Sequence, residues 1–198
     1  MKTLLISAAV AAAAIAPSAA TAQALPNAVV AVVDLDRVTA ECNACKTAQA
    51  ALKSQVQSYQ GREQALAAPL ETEQKSIQAA VDALKGKEPD AALKTRIEAF
   101  QRKQQQAAQE LSTQQRQIQA NQQYIQKQIQ DKLSPIYQQV MQRRGANLMV
   151  EVGTTLATGS ALDVTNDVLA ALNAAMPTIQ TTAPAQAATP QRKQPQGR

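Results

Sequence analysis

The sequence predicts an α+β protein in which a long antiparallel α-helical coiled-coil hairpin is inserted into a small, strand-containing body. Three observations predict it. Apolar residues recur at alternating steps of four and three over 52–84 and again over 93–125, the seam of a coiled coil. The segment 86–90 between the two stretches is so short that the helices must fold back on each other. Short β-branched runs at 28–33 and 147–152 flank the pair, and they must meet in space for either to bury its apolar face.

The elements follow in order. Residues 1–22 read as a secretory signal peptide. Lys2 is the positive start, Leu4 to Ile15 is an apolar run too short to span a bilayer, and Ala20-Thr21-Ala22 is a small-x-small cleavage site, with Ala24 as the alternative. The mature chain is then expected beyond the inner membrane. Residues 23–45 and 146–176 form the body. Its first strand, 28–33, is followed by Asp34 and Asp36, either of which can cap a short helix through Glu41. Residues 46–145 form the arm, with its tip near 86–90. Its first helix carries Leu52, Val56, Tyr59, Glu63, Leu66, Leu70, Glu73, Ile77, Ala80 and Leu84 on the seam, with Lys85 in the last turn and Gly86 in the left-handed position after it. Pro89 is expected to open the second helix, with Asp90 at the positive end of its dipole. That helix continues the seam through Leu93, Ile97, Phe100, Gln104, Ala107, Leu111, Gln114, Ile118, Asn121 and Ile125, and ends at Arg143-Arg144-Gly145. Residues 147–152 form a strand, 161–164 another, and Thr165 caps a last helix over 166–173. From Pro177 to residue 198 the chain is rich in Pro, Gln, Thr and Ala and reads as a disordered tail.

Composition agrees with an elongated shape. There is no Trp and no His, and the aromatic residues are Tyr59, Phe100, Tyr124 and Tyr137, so large buried side chains are scarce. Charge divides by region. Residues 46–145 hold 15 basic against 9 acidic residues, a net of +6, whereas 23–45 and 146–176 hold 1 against 6, a net of −5. A body of about 50 residues is marginal by itself, which predicts a homo-oligomer.

Glu63, Glu73, Gln104, Gln114 and Asn121 place polar groups on or beside the seam, where each costs stability relative to an aliphatic residue. They suit either control of register or an arm kept pliable. Pro69, which removes a backbone donor within the first arm helix, suits a flexure. Cys42-Asn-Ala-Cys45 is the only motif with reactive side chains. It suits a local disulfide in an oxidising compartment, free thiols or an intersubunit bridge, or a redox centre. A redox centre lacks its usual βαβ context, and a zinc site lacks further Cys or His ligands. No Ser/His/Asp set, phosphate-cradling glycine loop or paired-carboxylate arrangement is present, so an enzyme is not expected, nor any cofactor or metal.

Three stretches carry a family resemblance: Val29-Val-Ala-Val-Val-Asp-Leu-Asp36, the long Gln-rich hairpin, and Asn147-Leu-Met-Val-Glu-Val152 with Ala161-Leu-Asp-Val-Thr-Asn-Asp-Val-Leu169. Together they resemble the Skp/OmpH family of periplasmic chaperones, over all of the mature chain except the tail. The resemblance implies a homotrimer whose β-rich bodies form a trimerisation core from which helical arms hang around a cavity. It also implies a periplasmic, ATP-independent holding function for unfolded outer-membrane β-barrel proteins, assisting their delivery to the outer membrane; nucleic acid is not an expected partner. Lys85, Lys87, Lys94, Arg96, Arg102 and Lys103 near the arm tip are, on charge alone, contact candidates for clients, lipopolysaccharide or other anionic lipid headgroups. The C-x-x-C and the long tail depart from the family's best-known members. An envelope scaffold binding one fixed partner, and a thiol oxidoreductase using Cys42 and Cys45, are the competing functional classes.

Overall fold

The computed structural model describes residues 26–184; the expected signal peptide and residues 185–198 of the expected tail lie outside the described residues. The element order is β1 (Val30–Val33), α1 (Leu35–Glu41), α2 (Asn43–Ala83), α3 (Ala91–Arg144), β2 (Leu148–Glu151) and α4 (Thr165–Ala175), with short 3-10 turns at Val152–Thr154 and Ser160–Leu162. The protein is mostly helical with a small parallel sheet. β1 pairs with β2 in the register Val30–Leu148 to Val33–Glu151. The connection between these parallel strands is the whole hairpin, and α2 and α3, of 41 and 54 residues, reach roughly 60 and 80 Å.

Local chemistry sets the boundaries. Asp34 caps α1, its carboxylate accepting from Arg37 N at 2.8 Å, and Asp90 caps α3 by accepting from Leu93 N at 2.8 Å. Gly145 closes α3 with φ 65°, the left-handed conformation that glycine adopts without a Cβ clash. Four sequence expectations shift here. Pro89 precedes the cap of α3 and does not open the helix, because Asp90 takes the capping position. α2 ends at Ala83 instead of Lys85, and Lys85 itself turns left-handed at φ 49° ahead of Gly86 at 87°. The strand expected over 161–164 reduces to one bridge, Asp163 to Val32, because α4 begins at once after it. Thr165 is the first residue of α4 and not its cap.

The body core gathers Val33, Val38, Val140, Val168 and Leu172, with the cysteines beside them. Leu133 and Ile136 of α3 belong to the same cluster. The last third of α3 is therefore body, whereas the sequence boundary put the whole of 46–145 in the arm. A helix that threads the body gives it the apolar area that its own short segments lack.

Beyond that core the arm is thin. Ile77, Phe100, Ala107 and Ile125 are buried between its helices, and Asn121 is buried among them. Val56, Glu63 and Gln104, expected on the seam, face solvent. Residues 177–184, read from composition as the start of a disordered tail, instead lie along the root of the arm. Ile179 packs against the body core, and the following residues are hydrogen-bonded to α2 and α3.

Candidate functional site

The root of the arm holds a long concave surface. It is an open groove of about 650 Å³ between α1, α2 and α3, with Ala48, Leu52, Ile125, Ile129 and Leu133 supplying apolar walls and Gln49, Gln122 and Gln126 its polar rim. Leu52 and Ile129 arrive there through helical spacing, one on each helix. Tyr137 closes the body end. Burial, and then the nearby Glu151 carboxylate, push its phenol above the ordinary value, so it stays a neutral hydrogen-bonding group. The groove carries no cluster of acids, bases or nucleophiles, and what it offers is apolar and amide surface.

Cys42 and Cys45 form a disulfide under this groove, with Cα atoms 5.1 Å apart. Cys42 also caps α2, its sulfur accepting from Cys45 N at 3.2 Å. Both residues are buried in the body core, where the α1–α2 corner turns into the arm.

The opposite side of the same helices holds residues 180–183. Gln128 bonds both backbone groups of Gln180: its Oε1 accepts from the N–H at 3.1 Å and its Nε2 donates to the C=O at 2.8 Å. Gln55 Nε2 donates to Thr181 O at 3.2 Å. Asn121 Oδ1 accepts from Ala183 N at 2.8 Å and Gln117 Nε2 donates to Ala183 O at 3.4 Å. Asn121 Nδ2 donates to Gln55 Oε1 at 2.8 Å, which satisfies this buried amide. Apart from Asn121, noted as a seam residue, none of these amides stood out in the sequence. Their signal was there, in the seven-residue spacing of Asn121 and Gln128 within a Gln-rich helix.

The six basic residues near the tip are not brought together as one cluster. Lys94 pairs with Glu88 at 3.7 Å, Arg102 with Glu98 at 3.9 Å and Lys103 with Glu73 at 2.8 Å. Arg96 Nη2 donates to Ser76 Oγ at 2.8 Å. Lys85 and Lys87 are exposed and form no ion pair among the described residues. Pro69 is exposed halfway along α2, over a void of about 360 Å³ bordered by Leu66, Leu70 and Ala107. Just beside it, Arg62 Nη2 bonds Glu110 Oε2 at 3.0 Å across the hairpin, and that hydrogen bond holds the Glu110 carboxyl below its ordinary value.

A clasp joins the two ends of the body. Asp34 N donates to Thr165 Oγ1 at 2.9 Å, Arg37 Nη2 donates to Asn166 Oδ1 at 2.7 Å, and Arg144 pairs with Asp167 at 2.6 Å. No helix among the described residues is long and apolar enough to cross a membrane.

An elongated two-helix arm is rooted in a small parallel-stranded body and lined with apolar and amide groups. Residues 29–172 match the family of outer membrane proteins described as OmpH-like, and the chain belongs to that family. Among solved structures, the fold is similar to that of a candidate outer membrane chaperone, OmpH-like, from Caulobacter crescentus CB15. The TM-score is 0.65 at 22% identity, covering 79% of this chain and 90% of that one. No curated protein matches the chain.

Proposed function

We propose that this protein is an ATP-independent periplasmic holding chaperone. It binds unfolded outer-membrane β-barrel proteins in a cavity between helical arms, prevents their aggregation and assists their delivery to the outer membrane. The observation that carries this reading is the open apolar and amide groove at the root of a long exposed arm. A folded partner would need a shaped, complementary patch, whereas an unfolded chain needs apolar contact and amides that accept any sequence. Membership of the OmpH-like family and the likeness to a candidate outer membrane chaperone support the same reading.

The working form is a homotrimer, exported by a signal peptide cleaved after about Ala22. Three arms, each with a net charge of +6 over 46–145, surround the cavity and draw in acidic chains at low salt. Lys85 and Lys87, the basic tip residues with neither an ion pair nor a side-chain hydrogen bond among those described, are the contacts we assign to lipopolysaccharide or anionic headgroups. Pro69 is the flexure that lets the arm fit clients of different size, and the Cys42–Cys45 disulfide is a structural pin at the root of the arm with no catalytic role.

The test is to dilute a urea-unfolded outer-membrane barrel protein into buffer with the mature protein and no nucleotide, and to follow light scattering. Scattering is expected to be suppressed near one trimer per client. Undiminished scattering at several-fold excess overturns the proposal.

A further inference from the structure

The segment that crosses the root of the arm is held by its backbone. Five backbone groups, the N–H and C=O of Gln180, the C=O of Thr181 and the C=O and N–H of Ala183, are bonded by four amide side chains, Gln128, Gln55, Gln117 and Asn121. A single bond engages a side chain of the segment, from the Tyr124 hydroxyl to Gln180 Oε1 at 2.9 Å. Recognition of this kind ignores sequence. It also selects the unfolded state, because a folded protein has already paired its backbone N–H and C=O groups.

The spacing extends beyond this one segment. Asn121 and Gln128 are seven residues apart on α3, about 10.5 Å along the axis. Gln180 and Ala183, which they bind, are three residues apart, with a bend at Thr182 between them. One heptad of the arm therefore spans three residues of this bent segment. The next position in that series toward the tip, Gln114, lines the groove that continues past Thr182. That groove has about 490 Å³ of space between Ser58, Tyr59 and Arg62 on one helix and Gln114 and Ile118 on the other.

We propose that this amide row is a backbone-reading site for an unfolded polypeptide, and that residues 177–184 occupy it in cis until such a chain displaces them. The inference rests on the holding function proposed above and assigns it a site. Gln128 takes both backbone groups of one residue, as a neighbouring β-strand would, and Asn121 with Gln117 does the same one heptad away. An incoming unfolded segment that takes the same bend presents the same groups at the same spacing. The bonds at Gln180 and the bond from Gln117 to Ala183 O lie at exposed positions and exchange readily for equivalent ones, whereas the bond from Ala183 N to Asn121 is part-buried.

The experiment is hydrogen exchange on the full mature protein, with and without a urea-diluted outer-membrane barrel protein, with light scattering recorded on the same samples. Without client, the Gln180 and Ala183 amides are expected to be protected. With client, their exchange should accelerate roughly tenfold as they are displaced. Suppressed scattering with unchanged exchange at both amides overturns this inference alone. Unsuppressed scattering overturns the holding function, and this inference with it. Two variants separate site from occupant. Gln180→Pro with Ala183→Pro removes the segment's donors and leaves the row intact, so client affinity should rise about threefold or more as the competitor is lost. Asn121→Leu with Gln128→Leu also frees the segment but removes the readers, and client affinity should fall about tenfold. Equal or tighter binding by the leucine variant would mean that these amides serve only to fasten the segment.

Discussion

Thr165 is buried and satisfies two segments with one residue. Its hydroxyl oxygen accepts from Asp34 N at the end of β1, and its own N–H donates to Asp163 Oδ1 at 2.8 Å. Thr165→Val keeps the shape and leaves the Asp34 N–H without its acceptor, a loss of about 1–3 kcal/mol. A lowered urea midpoint with unchanged slope is the expected result, and an unchanged midpoint would remove the clasp from the account of stability. Asp163 gives that clasp a pH dependence. Hydrogen bonds from the Thr165 hydroxyl and then its N–H hold the carboxyl below its ordinary value, against a smaller opposing effect of burial. A group whose pKa is lowered on folding contributes stability above its unfolded pKa of about 3.9, and loses it as pH falls through the folded value. The melting temperature should therefore fall more steeply below about pH 4 in the native protein than in Asp163→Asn. Parallel curves would contradict it. Asp163 is largely solvated, so the effect is small beside that of Leu172→Ala, which opens a cavity at a fully buried position and should cost about 2–5 kcal/mol.

The long helices balance propensity against packing. Pro69 inside α2 forgoes the N–H that would reach back one turn, a cost of about 3 kcal/mol relative to Ala in a helix interior. Its own side chain is exposed beside an open pocket and contributes little burial to repay that cost. Pro69→Ala is expected to slow amide exchange over residues 66–73 by tenfold or more. Exchange that is already slow in the native arm would contradict a flexure there. The chain was legible where one side chain decides an outcome: Asp34, one of two candidates, capping α1, Gly145 terminating α3, and a seam at heptad spacing; the cap of α3 fell on Asp90, one residue after the proline expected to open that helix. It was less legible where small rotations accumulate. A straight helix drifts about 20° per heptad from a strict 3.5-residue repeat, enough to turn Val56, Glu63 and Gln104 out of the seam while Ile77, Phe100 and Ala107 stay in it. The segment 177–184 was illegible for another reason. Its order comes from amides 52 to 126 residues away in sequence, and its own composition carries no periodicity. Of the sites the sequence proposed, the cysteines lie together in the body core, whereas the basic residues of the tip are spread over the tip turn and the start of α3, with Lys94, Arg102 and Lys103 ion-paired.

At the scale of the whole molecule, the open question is what covers the body. β1 is flanked on one side by β2 and on the other by the Asp163 bridge, which leaves the outer edge of β2 without a strand partner among the described residues. Around that sheet the surface is unusually apolar. Val29, Leu148, Val152 and Leu162 are exposed, and Leu156 in the following loop is 108% exposed relative to a free residue. An open edge beside exposed aliphatic side chains is an aggregation hazard unless a partner covers it. The homotrimer proposed above would cover both the edge and the side chains, and would add the burial that so small a body needs. It would also point the arms the same way, so that their grooves face a common cavity. The native mass of the mature protein should therefore be that of three chains at micromolar concentration. Leu148→Glu with Leu162→Glu places like charges on the surface proposed to be shared, and should yield monomers that retain helical circular dichroism, because neither residue belongs to the buried core. Those monomers should lose suppression of barrel-protein aggregation, since a single arm cannot enclose a chain. A variant that stays trimeric would move the interface elsewhere, and a monomeric variant that still suppresses aggregation would show that the arm holds clients without a cage.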